Sequence, residues 1–176
     1  MAGTVRGEEA AFRLLVQRWE REVRAFLIHM LGSVEEAEDL TQDTFVQVFR
    51  KAEAYKPEGK FRSWLFRIAG NLARSRLRRR KILSWVSFRP EVHDRDSGRK
   101  TPAEDLERKD ESRRVRAAVA ALPERQRQAL SLHRFQGLKY AEIAHAMDTT
   151  VPAVESLIQR AMGALRHSLS RKAGTS

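Results

Sequence analysis

Six cations crowd into eight residues of this chain: Arg74, Arg76, Arg78, Arg79, Arg80 and Lys81. They follow directly on Phe61, Trp64, Leu65, Ile68 and Leu72, which recur at the three- and four-residue spacing of one helix face. Gly70 and Asn71 stand where this stripe meets the charge. Flat rings stack on unpaired bases and guanidinium groups hold phosphates, so the segment has the chemistry to grip nucleic acid that has left the duplex. The same pattern also describes a core-facing stripe followed by a solvated basic face. Taken alone, these residues leave both readings open.

A second set sits near the C-terminus. Pro152, Ala153, Glu155, Ser156, Gln159 and Arg160 fall opposite Val154, Leu157 and Ile158 on one helical projection. Glutamine suits adenine, arginine suits guanine, and glutamate can accept from cytosine, so such a face could read base edges in a major groove. The bland alternative is the wet side of an amphipathic helix. A third set is acidic: Glu35, Glu36, Glu38, Asp39 and Asp43 occur with no intervening basic residue. Acid in a helix's first turn meets the macrodipole, which accounts for Glu35 and Glu36 better than for Asp39 and Asp43. A DNA-binding face avoids such charge, so this flank fits a basic protein surface.

Nothing comparable points to catalysis. His29, His93, His133, His145 and His167 are scattered without paired ligand spacing, and no phosphate-loop sequence occurs. We therefore expect no enzyme activity, no catalytic residue, no metal and no cofactor. With no cysteine, disulfides and thiolate metal sites are excluded. The net charge of +11 over 176 residues favours a polyanionic partner, nucleic acid ahead of membrane. No apolar run approaches the ~20 residues of a spanning helix, so no membrane insertion is expected, and the simplest compartment is the cytoplasm.

The elements that must position these sets read as helices. Phe12, Leu15, Val16, Trp19, Val23, Phe26, Leu27 and Met30 form a first face, stopped by Gly32. Ser33 with Glu36 reads as a capping box for a second helix, buried through Ala37, Leu40, Phe45, Val48, Phe49 and Ala52. A turn-rich loop, Tyr55–Gly59, precedes the aromatic-basic helix. Later come a helix with Val115, Ala118, Val119 and Leu122, and another from Pro123 to Gly137. A short helix Lys139–Met147 follows. The turn Asp148–Thr150 offers Thr150 as N-cap for a long last helix. Short helix, turn and longer helix together read as helix-turn-helix.

Charge divides the same way: residues 1–83 carry +6, 84–112 carry −2, and 113–176 carry +7. The expectation is an all-α chain of two small helical domains, 1–83 and 113–176, joined by a flexible linker over 84–112. Within that linker stretch and just before it, Ile82, Leu83, Trp85, Val86 and Phe88 are too apolar for plain spacer. They either pack on the end of the first module or dock on a partner.

The chain resembles a bacterial RNA polymerase sigma factor of the extracytoplasmic-function group. Residues Ala37-Glu38-Asp39-Leu40-Thr41-Gln42-Asp43-Thr44-Phe45 are similar to that family's polymerase-clamp-binding helix. The run from Phe61 to Asn71 is similar to its promoter-opening segment. Leu122-Pro123-Glu124-Arg125 followed by Gly137-Leu138-Lys139-Tyr140-Ala141-Glu142-Ile143-Ala144 is similar to its C-terminal promoter domain.

The resemblance implies sigma region 2 over 1–83 and sigma region 4 over 113–176. It implies a factor that binds core polymerase at its clamp helices and flap and directs promoter recognition, DNA opening and initiation for a stress or envelope-response regulon. Asp39, Leu40, Gln42, Asp43, Phe45 and Val46 would engage core polymerase. Tyr55, Lys56, Lys60, Phe61, Arg62, Trp64, Asn71, Arg74 and Arg78 would serve the minus-ten element. There the Tyr55–Lys60 loop would capture a flipped base, with Asn71 beside that pocket. Lys139, Tyr140, Pro152, Ala153, Glu155, Ser156, Gln159 and Arg160 would face the minus-thirty-five duplex. An anti-sigma factor is the further implied partner, and the linker would thread polymerase near its active cleft.

The chain departs from the family pattern in places. Little sequence precedes the first helix, so the start is expected to be trimmed or the first domain smaller. Lys139 replaces a Ser or Thr helix cap, which could cost about 1 kcal/mol, and Glu155 stands where a basic residue is common. No sensory extension is expected after the second module. Two other classes remain: an operator-binding regulator, which has no use for the acidic helix or the Phe61–Asn71 segment, and an RNA binder, which leaves the helix-turn-helix unexplained.

Overall fold

The computed structural model describes residues 9–56, 59–87 and 113–173, and all regular structure among them is helical. The helices are α1 Glu9–Leu31, α2 Val34–Arg50, α3 Phe61–Ser87, α4 113–120, α5 Glu124–Arg134, α6 Tyr140–Met147 and α7 Val151–Ala173. α1 stops where Gly32 turns to a φ of +73°, a left-handed conformation that glycine adopts without Cβ strain. Ser33 Oγ then accepts the Glu36 N–H at 3.2 Å and opens α2. The reciprocal arm of the expected capping box is redirected. Glu36 places its carboxylate 3.2 Å from Arg80 and 3.8 Å from Arg76, tying α2 to α3.

The second module obeys its local signals closely. Pro123 caps α5 without a side-chain bond, and α5 gives way to Gly137 at a φ of +64°. At α6 the missing Ser or Thr is partly compensated: the Glu142 carboxylate accepts the Lys139 backbone N–H at 2.7 Å. An ammonium has no acceptor, so Lys139 cannot return the bond. Asp148 adopts a left-handed φ of +52° in the turn, and Thr150 Oγ1 accepts the Ala153 N–H at 3.4 Å to begin α7. Helix, turn and helix therefore stand as the sequence pattern requires.

The linkage between modules is closer than the sequence suggests. Leu65, Phe66, Ile68, Ala69 and Ala73 of α3 share one buried cluster with α1 and α2 on one side and with Ala129, Leu132, Ile143 and Met147 on the other. Packing of α3 on α6, and of α1 on α5, makes this a single continuous core. The reason lies in α3 itself. Phe66, Ala69 and Ala73 add a second apolar side to the stripe, and a helix with two apolar sides buries both.

α3 also runs on to Ser87, into the region read as linker. Ile82 and Leu83 are exposed there, at 63% and 66%, so they do not pack on the first module's end. The side chains of Trp85 and Val86, all of Phe88, and the rest of the linker to 112 lie outside the described residues.

Candidate polymerase and promoter interfaces

α2 divides its residues between core and surface. Leu40 and Phe45 are buried, as are Thr41 and Thr44, whose hydroxyls donate to the Ala37 and Leu40 carbonyls at 2.6 Å each. Leu40 and Phe45 therefore correct the expectation of direct polymerase contact: they anchor the helix in the core. Asp39, Gln42, Asp43 and Val46 remain exposed on the opposite flank, with Phe49 beyond them. The result is an acidic flank edged by apolar groups, suited to a basic protein surface.

The aromatic side chains at the start of α3 gather into a half-buried nest. Tyr55, Phe61 and Trp64 lie within 4.9–5.9 Å of one another by ring centroid, and Trp19 of α1 meets Phe61 edge-on at 5.7 Å. Leu14, Leu15 and Trp19, with Ala11, face Tyr55, Gly59 and Phe61 across an open cavity of about 570 Å³. Its apolar floor and ring edges offer stacking surface to a planar base. Leu15 and Trp19 line this cavity although sequence reasoning assigned them to the core, and Leu14 was not singled out there. Their helical spacing alone could not show that they sit at the open end of that face. Lys56 and Lys60 are exposed beside this cavity.

The rest of the minus-ten set lies elsewhere along the helix. Asn71 does not line the cavity: it stands about 15 Å beyond Phe61 at 1.5 Å rise per residue. It is exposed, and its Oδ1 accepts from Arg74 at 2.5 Å. Arg74 is held below its usual pKa by burial first and by the nearby Arg125 and Arg78 charges next, with Glu124 opposing. Arg62 turns to the second module and donates to the Gln136 carbonyl. Arg78 is exposed. One linear segment thus becomes an aromatic nest, a module-facing side and a basic tail.

The second module presents its polar set outward. Lys139, Pro152, Glu155, Gln159 and Arg160 are exposed, and Tyr140, Ala153 and Ser156 half-buried. Gln159 Nε2 lies 3.5 Å from Glu155 Oε1, so those two groups satisfy each other until a base edge replaces one of them. Tyr140 is steadied by the His133 ring at 5.1 Å, and His133 Nδ1 sits 3.2 Å from the Leu138 carbonyl. All eight residues expected at the minus-thirty-five duplex belong to this one module and reach its surface.

An all-helical chain that ends in a helix-turn-helix with a solvent-facing polar recognition surface is a DNA-binding transcription protein. Two family descriptions match it in order: Sigma-70 region 2 over residues 15–82 and Sigma-70 region 4 over residues 112–165. The RNA polymerase sigma-H factor of Pseudomonas aeruginosa is 30% identical over 171 residues, covering 93% of this chain and 89% of that protein. The ECF RNA polymerase sigma-E factor of Haemophilus influenzae is 32% identical over 164 residues, covering 88% and 85%. The chain belongs to the sigma-70 family of RNA polymerase sigma factors, in its extracytoplasmic-function group. Its activity is promoter recognition and transcription initiation.

Solved structures agree on the architecture. CnrH in complex with the cytosolic domain of CnrY superposes with a TM-score of 0.72 at 25% identity, covering 97% of this chain and 94% of that one. The sigma factor RpoE of Bartonella quintana, in complex with the anti-sigma factor NepR, gives 0.71 at 25% identity, covering 91% and 97%. Neither module alone is large enough to yield such scores, so the relative placement of the two is shared as well.

Proposed function

We propose that this chain docks on core polymerase through the acidic flank of α2, Asp39, Gln42, Asp43 and Val46, and reads a promoter with both modules. The cavity bounded by Trp19, Tyr55 and Phe61 takes a base extruded from the minus-ten element. Lys56, Lys60, Arg74 and Arg78 hold the adjoining phosphates, with Asn71 contacting the strand further along α3. Base extrusion costs a few kcal/mol, and stacking at ~1–3 kcal/mol per base offsets it. The α6–α7 unit reads the minus-thirty-five duplex through Lys139, Tyr140, Pro152, Ala153, Glu155, Ser156, Gln159 and Arg160.

The observation that carries this reading is an exposed carboxylate flank on a chain of net charge +11, beside an aromatic nest and a separate recognition helix. A simple operator binder has no use for the first two. Polymerase and promoter DNA are the partners that use all three. The chain acts by binding, without catalytic groups or cofactor of its own, in the cytoplasm; among the described residues no helix is long and apolar enough to cross a membrane. The similar sigma factor RpoE of Bartonella quintana is in complex with an anti-sigma factor, which supports an anti-sigma partner here, and similarity to ECF sigma-E factors supports a stress or envelope-response regulon.

Run-off transcription with core polymerase on genomic promoter fragments tests the proposal. The protein should generate specific new transcripts. Asp39→Arg with Asp43→Arg should abolish them and core binding, while duplex binding persists. Unchanged core affinity in that double variant would defeat the α2 assignment. Duplex binding with no transcripts from the unmodified protein would shift the reading to an operator-binding regulator.

A further inference from the structure

The strand-holding helix is not open along its length. The second module sets oxygen acceptors against its cations. The Gln136 carbonyl takes the Arg62 bond, the Asp148 carboxylate lies 2.7 Å from Arg67, and the Glu124 carboxylate lies 2.8 Å from Lys81. Acceptor oxygens spaced along a ribbon are what a phosphate backbone would offer the same groups. The minus-thirty-five face, by contrast, stays at the surface.

We infer that the second module is an intramolecular stand-in for single-stranded DNA on α3. In this closed form the recognition helix can meet duplex, while Arg62, Arg67 and Lys81, which would extend the grip on an opened strand, are occupied until the modules part. This rests on the assignment of α3 to the strand.

The join between modules carries groups that oppose it, set against the shared apolar core that favours it. Gln128 is fully buried against Gly70, with neither its Oε1 nor its Nε2 hydrogen-bonded among the described residues, and Ser131 Oγ is in the same state. Burying unpaired amide and hydroxyl groups opposes the closed form, and exposure to water relieves them. The ion pairs across the join are partly solvated and individually weak; Lys81 and Asp148 side chains are 73% and 80% exposed. A partner with its own affinity for either module could therefore shift the balance.

Gly70 supplies the test. A Cβ added there would lie 2.2 Å from Gln128 Nε2 and 3.1 Å from its Cδ. Gly70→Gln should wedge the join apart while raising the helix propensity of α3. Gly70→Ala with Gln128→Ala, which removes the obstructing amide, should restore closure. The chain has no cysteine, so dyes on Glu53→Cys and Ala164→Cys report the distance between modules in the full-length protein.

Energy transfer should be high in the parent, fall in Gly70→Gln, and fall in the parent when a mixed-sequence single-stranded oligonucleotide is added to saturation. Gly70→Gln should bind that strand about tenfold or more tightly than the parent, since apparent affinity scales with the open fraction. Its salt dependence should steepen by about two in log–log slope, as Arg62, Arg67 and Lys81 exchange the second module's oxygens for phosphates. Duplex affinity should stay level. Equal strand affinity in an opened Gly70→Gln overturns the stand-in while leaving the α3 assignment in place. Absence of strand binding in both proteins overturns the two together. High transfer that persists in the parent at saturating strand also refutes mutual exclusion, with no variant needed.

Discussion

Arg127 offers a measure of one polar tie between the modules and of two within the second. Its side chain is 8% exposed, and its guanidinium reaches three main-chain carbonyls. Nη1 donates to Met30 at the end of α1 at 2.7 Å, while Nη2 donates to Leu122 at 3.1 Å and to Ala120. Met30 and Ala120 close α1 and α4, where unsatisfied carbonyls concentrate partial negative charge. Replacing Arg127 by Met keeps the apolar stem and removes all three bonds. At a net ~1 kcal/mol per bond the loss is about 3 kcal/mol. Burial already pushes the Arg127 pKa down, so a neutral residue recovers part of that cost, leaving roughly 2 kcal/mol. At this chain length that corresponds to a Tm lower by about 4–8 °C.

Circular dichroism melts of the parent, Arg127→Met and Arg127→Lys would read it. Lysine keeps the charge but lacks the planar fork, so it should recover only a small part of the loss. A Tm within a degree or so of the parent for Arg127→Met would refute the reasoning, because three carbonyls would then have lost their donor without consequence.

Two further outcomes follow from particular side chains. Asn71→Ala should weaken promoter opening, read by permanganate reactivity, with far less effect on duplex binding; equal losses would count against a role on the opened strand. His29 stacks on Phe135 across the join at 3.8 Å between centroids, and burial lowers its pKa below the ordinary 6.5. The unfolded or parted chain therefore takes up the proton first, so stability is full above about pH 6.5 and declines as pH falls below it towards the lower native value. His29→Phe, which stacks but does not titrate, should flatten that decline in thermal melts; an unaltered pH profile would assign it to other groups.

Much of the fold was legible because its instructions are local. Gly32, Ser33, Gly137 and Thr150 mark helix ends by backbone geometry and capping, and the structure places each in that role. The recognition surface was legible for a related reason, since the buried Val154 and Ile158 fix which side of α7 faces out. The polymerase-facing set was only partly readable. Periodicity placed Leu40 and Phe45 on the buried side of α2, yet similarity to a motif carried them into a contact list, and burial overrules the motif. The cavity escaped because Leu15 and Trp19 belong to a helical face whose other members pack in the core. Nothing in a periodic pattern distinguishes the end of an apolar face from its middle.

The contact between modules was illegible for a different reason. Its key residues are the ones a pattern search passes over. Ala69, Gly70 and Ala73 carry little hydrophobic signal, yet their small size lets another module approach α3. Arg127, in a chain rich in arginine, reads as one more solvated cation, though it is buried and shared among helix ends. The composition-level inference that excess positive charge seeks a polyanion is therefore incomplete. Arg62, Arg67, Arg80, Lys81 and Arg127 are engaged by the chain's own carbonyls and carboxylates. A basic surplus measures how many anionic contacts a protein can make. Folding decides how many of them it makes with itself first, and for this sigma factor that allocation separates reading duplex DNA from holding an opened strand.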